Sequence, residues 1–154
     1  LPRLASHSQV WNCYGHDCRV FILNYSPNSR KLMSTLTNLD LLIVDDEPDM
    51  VRGLARILST RSIQVQQAFG GREAVEMVDQ HCPTAVLMDM KMPDLDGIAA
   101  FARMREICPD LTVVFMTGFS EMEDRAISEG AKAVLRKPVD FSELFEVLGS
   151  ISVN

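Results

Sequence analysis

Short runs of consecutive apolar residues alternate along this chain with longer stretches in which apolar residues recur every few positions. Uninterrupted apolar runs are typical of strands that are buried on both faces, and the wider spacing is typical of amphipathic helices. The pattern predicts strands over residues 41–44, 63–65, 85–88, 111–116 and 133–135. It predicts helices over residues 48–58, 72–81, 97–107, 120–129 and 141–151. Such alternation indicates an α/β fold, in which helices cover both faces of a parallel sheet.

Residues 1–38 do not share this pattern, because their aromatic residues have no clear period and a turn signal follows them. We therefore predict one folded domain over residues 39–151 and a non-native or disordered extension over residues 1–38. Cys13, His16 and Cys18 could be zinc ligands, but a closed zinc site needs a fourth ligand at matched spacing, which nothing in the sequence supports.

The composition is that of a globular protein, with 47% hydrophobic and 23% charged residues. The net charge of -6 argues against direct binding to nucleic acid, because protein surfaces that bind nucleic acid are usually basic. No apolar run approaches the roughly 20 residues of a membrane helix, and no signal peptide is recognisable. The four cysteines indicate no disulfide framework. We therefore expect a cytoplasmic protein that contacts neither nucleic acid nor membrane.

Polar residues that can carry chemistry stand at the ends of four predicted strands. Asp45 and Asp46 follow the first strand, and Asp89 follows the third. Thr117 and Lys137 follow the fourth and fifth strands. Right-handed crossovers bring the carboxyl ends of parallel strands to one edge of the sheet, where α/β folds bind their ligands. We therefore expect these five side chains to face one shallow pocket.

The carboxylates of such a pocket would repel one another, and a hard divalent cation would remove that cost. Mg²⁺ suits a few carboxylates together with an incoming phosphoryl oxygen. Asp89 could then act as a nucleophile and form an acyl phosphate, while Lys137 and Thr117 bind phosphoryl oxygens. Each residue alone also has a structural interpretation as a helix cap, a loop acid, a turn residue or a solvated lysine. Their joint position at strand ends favours the functional interpretation.

The same residues, together with Met92-Pro93-Asp94 and Asp96-Gly97 after Asp89, resemble the receiver domain of two-component response regulators. The resemblance covers residues 39–151. It implies a flavodoxin-like (βα)5 fold, which is a doubly wound parallel sheet of five strands in the order 2-1-3-4-5.

The resemblance also implies a function. Asp89 would accept a phosphoryl group from a sensor histidine kinase or a phosphotransfer protein. Mg²⁺ would be held by Asp46, Asp89 and the backbone carbonyl of Lys91, with Asp45 acting through water. Lys137 would pair with the phosphoryl group, and Thr117 would be drawn inward.

The output would be a population shift in the face formed by the fourth helix, the fifth strand and the fifth helix, which could also form a weak dimer. An effector domain could lie outside this chain. The protein would not be an enzyme beyond its own phosphoryl transfer and autodephosphorylation.

Three positions distinguish this sequence within the resemblance. The family often has an aromatic switch residue three positions before the lysine, and here that residue is Val134. Lys91 and Phe119 stand where the family tunes dephosphorylation, and the bulky Phe119 predicts slow loss of the phosphoryl group.

Three other functions share parts of this pattern. A phosphatase or phosphotransferase similar to haloacid dehalogenases would need an aspartate where Lys91 stands. A nucleotide- or flavin-binding protein would need a glycine- or hydroxyl-rich loop after the first strand, where Asp45-Asp46-Glu47 stands instead. A receiver that takes no phosphate and acts as an interaction module would be expected to lack some of the key residues, and all of them are present.

Overall fold

The computed structural model describes residues 10–14, 17–21, 39–61 and 63–152. The chain divides into two compact units, Leu1–Lys31 and Leu32–Asn154. In the first unit, strand β1 (Val10–Tyr14) pairs antiparallel with strand β2 (Asp17–Phe21), a hairpin that the sequence pattern does not predict. The remainder of 1–38 and the side chains of the zinc hypothesis lie outside the described residues, so the predicted extension stays a prediction.

The second unit alternates strands and helices as the hydrophobic pattern predicts. In chain order its elements are β3 (Asp40–Val44), α1 (Pro48–Ser59), β4 (Gln64–Ala68), α2 (Gly71–Gln80), β5 (Ala85–Asp89), α3 (Gly97–Ile107), β6 (Thr112–Thr117), a 3₁₀ turn (Ser120–Met122), α4 (Glu123–Ser128), β7 (Ala133–Arg136) and α5 (Phe141–Ser152). Among these helices, none is both long and apolar enough to cross a lipid bilayer.

The five strands of this unit form one parallel sheet in the order β4-β3-β5-β6-β7. Counted from β3, this order is 2-1-3-4-5, which confirms the predicted flavodoxin-like fold. Because all strands run the same way, the chain leaves every strand at the same edge of the sheet. We call this edge the carboxyl edge and the opposite one the amino edge.

The core has two layers because successive side chains of each strand point to opposite faces of the sheet. On β5, Val86 and Met88 belong to one apolar cluster, and Ala85 and Leu87 belong to the other. The first cluster is closed by α2, α3 and α4, and the second is closed by α1 and α5. Burial of a leucine or phenylalanine side chain contributes about 2 kcal/mol, so the two layers stabilise the sheet that carries the carboxyl edge.

The edge strand β4 is longer than predicted. Its sequence is mostly glutamine, and most of its residues are exposed or half-buried. An edge strand has only one neighbour, so its length is set by backbone pairing with β3, from Asp40 opposite Gln64 to Val44 opposite Ala68. Apolar periodicity alone therefore does not reveal how far it extends.

The expectation that the folded domain has no disulfide is wrong, because Cys82 and Cys108 are disulfide-bonded. Cys82 follows α2, and Cys108 follows α3. These helices pack side by side, so their ends bring together two cysteines that are 26 positions apart in sequence. Sequence spacing does not show this proximity.

Candidate functional site

Asp89 lies at the carboxyl edge because it is the last residue of the fully buried strand β5. Only 6% of its surface is exposed. The next helix begins directly against it: a Cβ atom on Gly97 would lie 2.5 Å from the Asp89 carbonyl oxygen. The amide of Gly97 donates to the carbonyl of Met90, and Asp96 caps α3 by accepting from the amide of Ala99. Close packing of the backbone therefore holds the turn that presents the carboxylate.

Three carboxylates meet at this edge. Asp45, Asp46 and Asp89 each offer an oxygen atom, and these three atoms all lie within 4.8 Å of one another. Asp45 and Asp89 are buried, whereas Asp46 is exposed. The structure therefore brings the three predicted acidic residues together. All of its ligand atoms are oxygens, which is the donor set that a hard cation such as Mg²⁺ takes.

Lys137 lies between the two buried carboxylates. Its Nζ atom is 2.7 Å from Asp45 Oδ2 and 2.8 Å from Asp89 Oδ1. The amide of Lys137 donates to the carbonyl of Thr117, which extends the pairing of β6 and β7 by one residue. The other oxygen of Asp45 accepts from the amide of Glu47. Both oxygens of Asp45 are thus engaged, while the ammonium of Lys137 reaches into the cluster.

Burial and pairing act in opposite directions on these groups. Burial raises the pKa of Asp89 above its usual value, the contact with Lys137 lowers it, and the nearby Asp45 raises it further, with a net upward shift. Burial lowers the pKa of Lys137, but its hydrogen bonds to Asp45 and Asp89 more than offset this, so the net shift is also upward. The structure therefore favours the charged lysine and disfavours the full negative charge on Asp89, which is a carboxylate that benefits from a further cation.

Thr117 is the buried last residue of β6. Its hydroxyl oxygen accepts a hydrogen bond from the amide of Phe119, with N and O 3.1 Å apart. The hydroxyl is therefore bonded to its own turn, two residues further along, and lies at the same edge as Asp89.

Lys91 and Phe119, predicted to tune dephosphorylation, are in contact. The amide of Lys91 donates to Asp89 Oδ2 at 3.0 Å. Its ammonium lies 3.6 Å from the centre of the Phe119 ring, a cation–π contact. The turn after Asp89 and the turn after Thr117 are thus joined by their side chains, although 45% of the surface of Phe119 remains exposed.

Val134 lies in β7 opposite Phe115 of β6. It is partly buried and packs against the first apolar cluster. A small side chain there fills part of the core and has no aromatic ring to rotate between an inward and an outward position.

Asp94, in the loop after Asp89, contacts the start of α2, which the sequence does not show. Its two carboxylate oxygens accept hydrogen bonds from the amides of Gly71 and Arg72, at 3.1 and 2.9 Å. A Cβ atom on Gly70 would lie 2.8 Å from Asp94 Oδ2, so a larger residue there would require the Asp94 carboxylate to shift. Partial burial raises the pKa of Asp94, but these amide hydrogen bonds more than offset it and the net shift is downward. Asp94 thereby fastens the loop that carries Lys91 to the start of α2.

Comparison with known proteins agrees with this geometry. Residues 41–149 match the family model described as response regulator receiver domain. The chain belongs to this family. A receiver-domain structure from Clostridium thermocellum aligns with a TM-score of 0.71 and 27% identity, covering 75% of this chain and 94% of that one.

Two curated relatives show what surrounds such receivers. The sporulation initiation phosphotransferase F of Bacillus subtilis is 33% identical over 111 residues, which is 71% of this chain and 90% of that protein. The transcriptional regulatory protein ZraR of Escherichia coli is 35% identical over 112 residues, which is 71% of this chain but only 25% of ZraR. Receiver domains therefore occur both nearly alone and as a small part of longer regulators.

Receiver domains generally bind Mg²⁺ at an acidic pocket, and Asp45, Asp46 and Asp89 form such a pocket here.

Proposed function

We propose that this receiver accepts a phosphoryl group on Asp89 from the phosphohistidine of a sensor histidine kinase or of a phosphotransfer protein. One observation carries the proposal: a buried carboxylate at the carboxyl edge lies 2.8 Å from a lysine ammonium and within 4.8 Å of two further carboxylates. The likeness to a protein named a phosphotransferase supports the same chemistry.

The transfer needs few groups, since it depends mainly on positioning and electrostatics. One oxygen of the Asp89 carboxylate attacks phosphorus, and the bond from phosphorus to the imidazole nitrogen breaks. The nitrogen keeps the electron pair and takes up a proton, and Asp89 becomes an acyl phosphate. Lys137 already contacts Asp89, and its ammonium can pair with the negative charge on a phosphoryl oxygen after transfer. Thr117 can donate its hydroxyl proton to another phosphoryl oxygen.

The residues at this edge fit Mg²⁺. Asp46, Asp89 and the backbone carbonyl of Lys91 would hold it, and Asp45 would act through a water molecule, because both of its oxygens are engaged. When bound, the ion would neutralise carboxylate charge and allow an anionic phosphoryl donor to approach.

The metal site can be tested without phosphorylation. Asp46→Asn removes one charged ligand, and we expect it to weaken Mg²⁺ binding at least tenfold by calorimetric titration. The matched control is Asp49→Asn, an exposed acid in the first turn of α1. Equal affinity in the two variants would contradict the proposed metal ligands.

We propose that phosphorylation draws the Thr117 hydroxyl away from the Phe119 amide and toward the phosphoryl group. The response would then reach the face formed by α4, β7 and α5, which could serve an output domain, a partner or a weak dimer. Val134 cannot supply an aromatic reporter, so movement of Thr117 would be transmitted by the backbone turn at Phe119. Hydrogen exchange of α4 and β7 should change on phosphorylation in the wild type and not in Thr117→Ala.

The contact between Lys91 and Phe119 would affect how long the phosphoryl group stays on Asp89. The Lys91 ammonium and the Phe119 ring would lie across the approach of water to the acyl phosphate, which favours slow hydrolysis. In this account the protein is a cytoplasmic signalling module that catalyses only its own phosphoryl transfer and dephosphorylation.

The direct test uses phosphoramidate, a small donor with a phosphorus–nitrogen bond, together with Mg²⁺ and intact-mass measurement. The wild type should gain one phosphoryl group and Asp89→Asn should gain none. Asp79→Asn, which changes an exposed acid on α2, should behave as the wild type. Equal labelling of Asp89→Asn would show that another residue is the acceptor.

A further inference from the structure

Two cysteines at the amino edge take no part in the proposed phosphoryl chemistry. Cys82 lies in the connection between α2 and β5, and Cys108 directly follows α3. Their Cα atoms are 6.2 Å apart, within the range of about 4.4 to 6.8 Å that a disulfide requires. The backbone therefore holds the two residues at bonding distance.

The two sulfur atoms differ in their surroundings. Cys82 is exposed, whereas Cys108 is only 5% exposed and belongs to the first apolar cluster together with Met104 and Leu111. A buried thiol behaves as a small hydrophobic group, so Cys108 fits this cluster in its reduced form as well. The fold is thus compatible with both the dithiol and the disulfide, and only Cys82 is open to a reagent in solution.

The position of the pair in the fold adds a consequence. The bond spans 26 positions and encloses β5 with Asp89, the turn with Lys91 and the whole of α3. It joins the ends of α2 and α3, the two helices that pack together over the first cluster. Oxidation would therefore close a covalent loop around the segment that carries the candidate phosphoacceptor.

We propose that Cys82 and Cys108 form a reversible thiol–disulfide site that reacts with low-molecular-weight disulfides, and that Cys82 reacts first. The Cys82 thiolate attacks one sulfur of the small disulfide, whose S–S bond breaks and releases one small thiolate. The Cys108 thiolate then attacks the Cys82 sulfur of the mixed disulfide and releases the second small thiolate, and the two small thiolates take up the two protons that the cysteine thiols lost. The protein loses two protons and two electrons, and the small disulfide gains both. Phosphorylation of Asp89 is not required for this chemistry.

The test uses the full chain with Cys13→Ser and Cys18→Ser, so that only the two cysteines in question can react. The protein is equilibrated in oxidised and reduced glutathione, quenched with acid and weighed intact. We expect a loss of two hydrogen atoms in oxidised glutathione and full recovery in excess reduced glutathione. Failure to form the bond, or failure to reopen it, would overturn the proposal.

The order of reaction is tested in the same background. Cys108→Ala should accumulate one glutathione adduct at least tenfold faster than Cys82→Ser, since the first keeps the exposed thiol and the second keeps the buried one. Peptide mapping after brief alkylation of the reduced protein gives the same comparison without either substitution. Equal rates at Cys82 and Cys108 in that mapping would show that Cys82 is not the entry point.

Discussion

The carboxyl edge and the amino edge of the sheet differ in how fully their charged groups are paired. At the carboxyl edge, Asp45 and Asp89 are buried around a single lysine ammonium, with Asp46 close by, so negative charge exceeds positive charge. At the amino edge, Asp40 pairs with His81, whose Nε2 atom is 2.5 Å from Asp40 Oδ2. The three carboxylates at the carboxyl edge outnumber the one ammonium and would gain from a further cation. Asp40 at the amino edge already has His81 as its partner.

Strand β5 connects these two edges, and the comparison shows how one element can serve stability and chemistry at once. Its amino end lies beside the disulfide of Cys82, where a covalent link adds stability. Its carboxyl end presents Asp89, whose negative charge burial disfavours. A protein can keep a costly charged site when packing and links elsewhere in the same element supply the stability.

Removal of the ammonium at the carboxyl edge should have the largest effect on stability. Lys137→Met leaves Asp45 and Asp89 buried without a positive partner, which should lower the free energy of unfolding by about 4 kcal/mol. Urea denaturation measures it. Lys132→Met changes an exposed lysine just before β7, at the amino edge, and should be nearly neutral. Equal midpoints for the two variants would show that the carboxyl edge does not depend on this ammonium.

Opening the covalent link at the amino edge should have the next largest effect. Without the disulfide, the loop spanning 26 positions is no longer closed in the unfolded chain, so Cys82→Ser should lose about 3 kcal/mol under oxidising conditions. The background carries Cys13→Ser and Cys18→Ser. With excess reductant the variant and its parent should unfold at the same urea concentration. A difference that persists in reductant would have to come from packing instead of the link.

A smaller effect is expected at Asp94, which connects the loop after Asp89 to α2. Asp94→Ala removes the acceptor for the amides of Gly71 and Arg72, and loss of such a cap costs about 1 kcal/mol. Asp96→Ala, which removes the cap of α3, is the matched comparison in stability. Asp94→Ala should also weaken Mg²⁺ binding, because Asp94 holds the loop with Lys91 against α2.

The Asp94 contribution should depend on pH in a defined direction. Its pKa is lower in the folded protein than the usual 3.8, so its charged form stabilises the fold. The difference in stability between wild type and Asp94→Asn should therefore be fully present above about pH 4 and should shrink as the pH falls through the folded-state pKa. A difference that grows on acidification would contradict this assignment.

The smallest effect on stability is expected at Phe119. Because Phe119 is largely exposed, Phe119→Glu should change the free energy of unfolding by less than about 0.5 kcal/mol. It should nevertheless shorten the lifetime of the phosphorylated protein, since a carboxylate can hold water where the ring now contacts Lys91. Loss of phosphoryl signal over time by intact mass measures this. An unchanged lifetime would show that Phe119 does not shield the acyl phosphate from water.

These two edges also mark what the sequence could predict. Asp89, Thr117 and Lys137 each stand at the end of an apolar strand, and parallel strands end at one edge, so local pattern and handedness were sufficient to bring them together. The resemblance to receiver domains implied the strand order 2-1-3-4-5, and the structure has this order.

Other contacts had no local signal. Cys82 and Cys108 meet only because α2 and α3 pack side by side, and Asp94 caps a helix that begins 23 residues earlier. The polar strand β4 is defined by pairing with β3, not by its own periodicity. In each case the missing information was the relative position of two elements, which depends on packing across the whole core.

An acyl phosphate at Asp89 is the central step of the proposed function, and one chemical measurement locates it directly. After phosphorylation with phosphoramidate and Mg²⁺, borohydride reduces an aspartyl phosphate to homoserine, which peptide mass mapping assigns to a residue. We expect borohydride to give homoserine at position 89 and to leave Asp45 and Asp46 as unmodified aspartate. Homoserine at either of those positions, or a phosphoryl group on a residue that borohydride does not reduce, would contradict it.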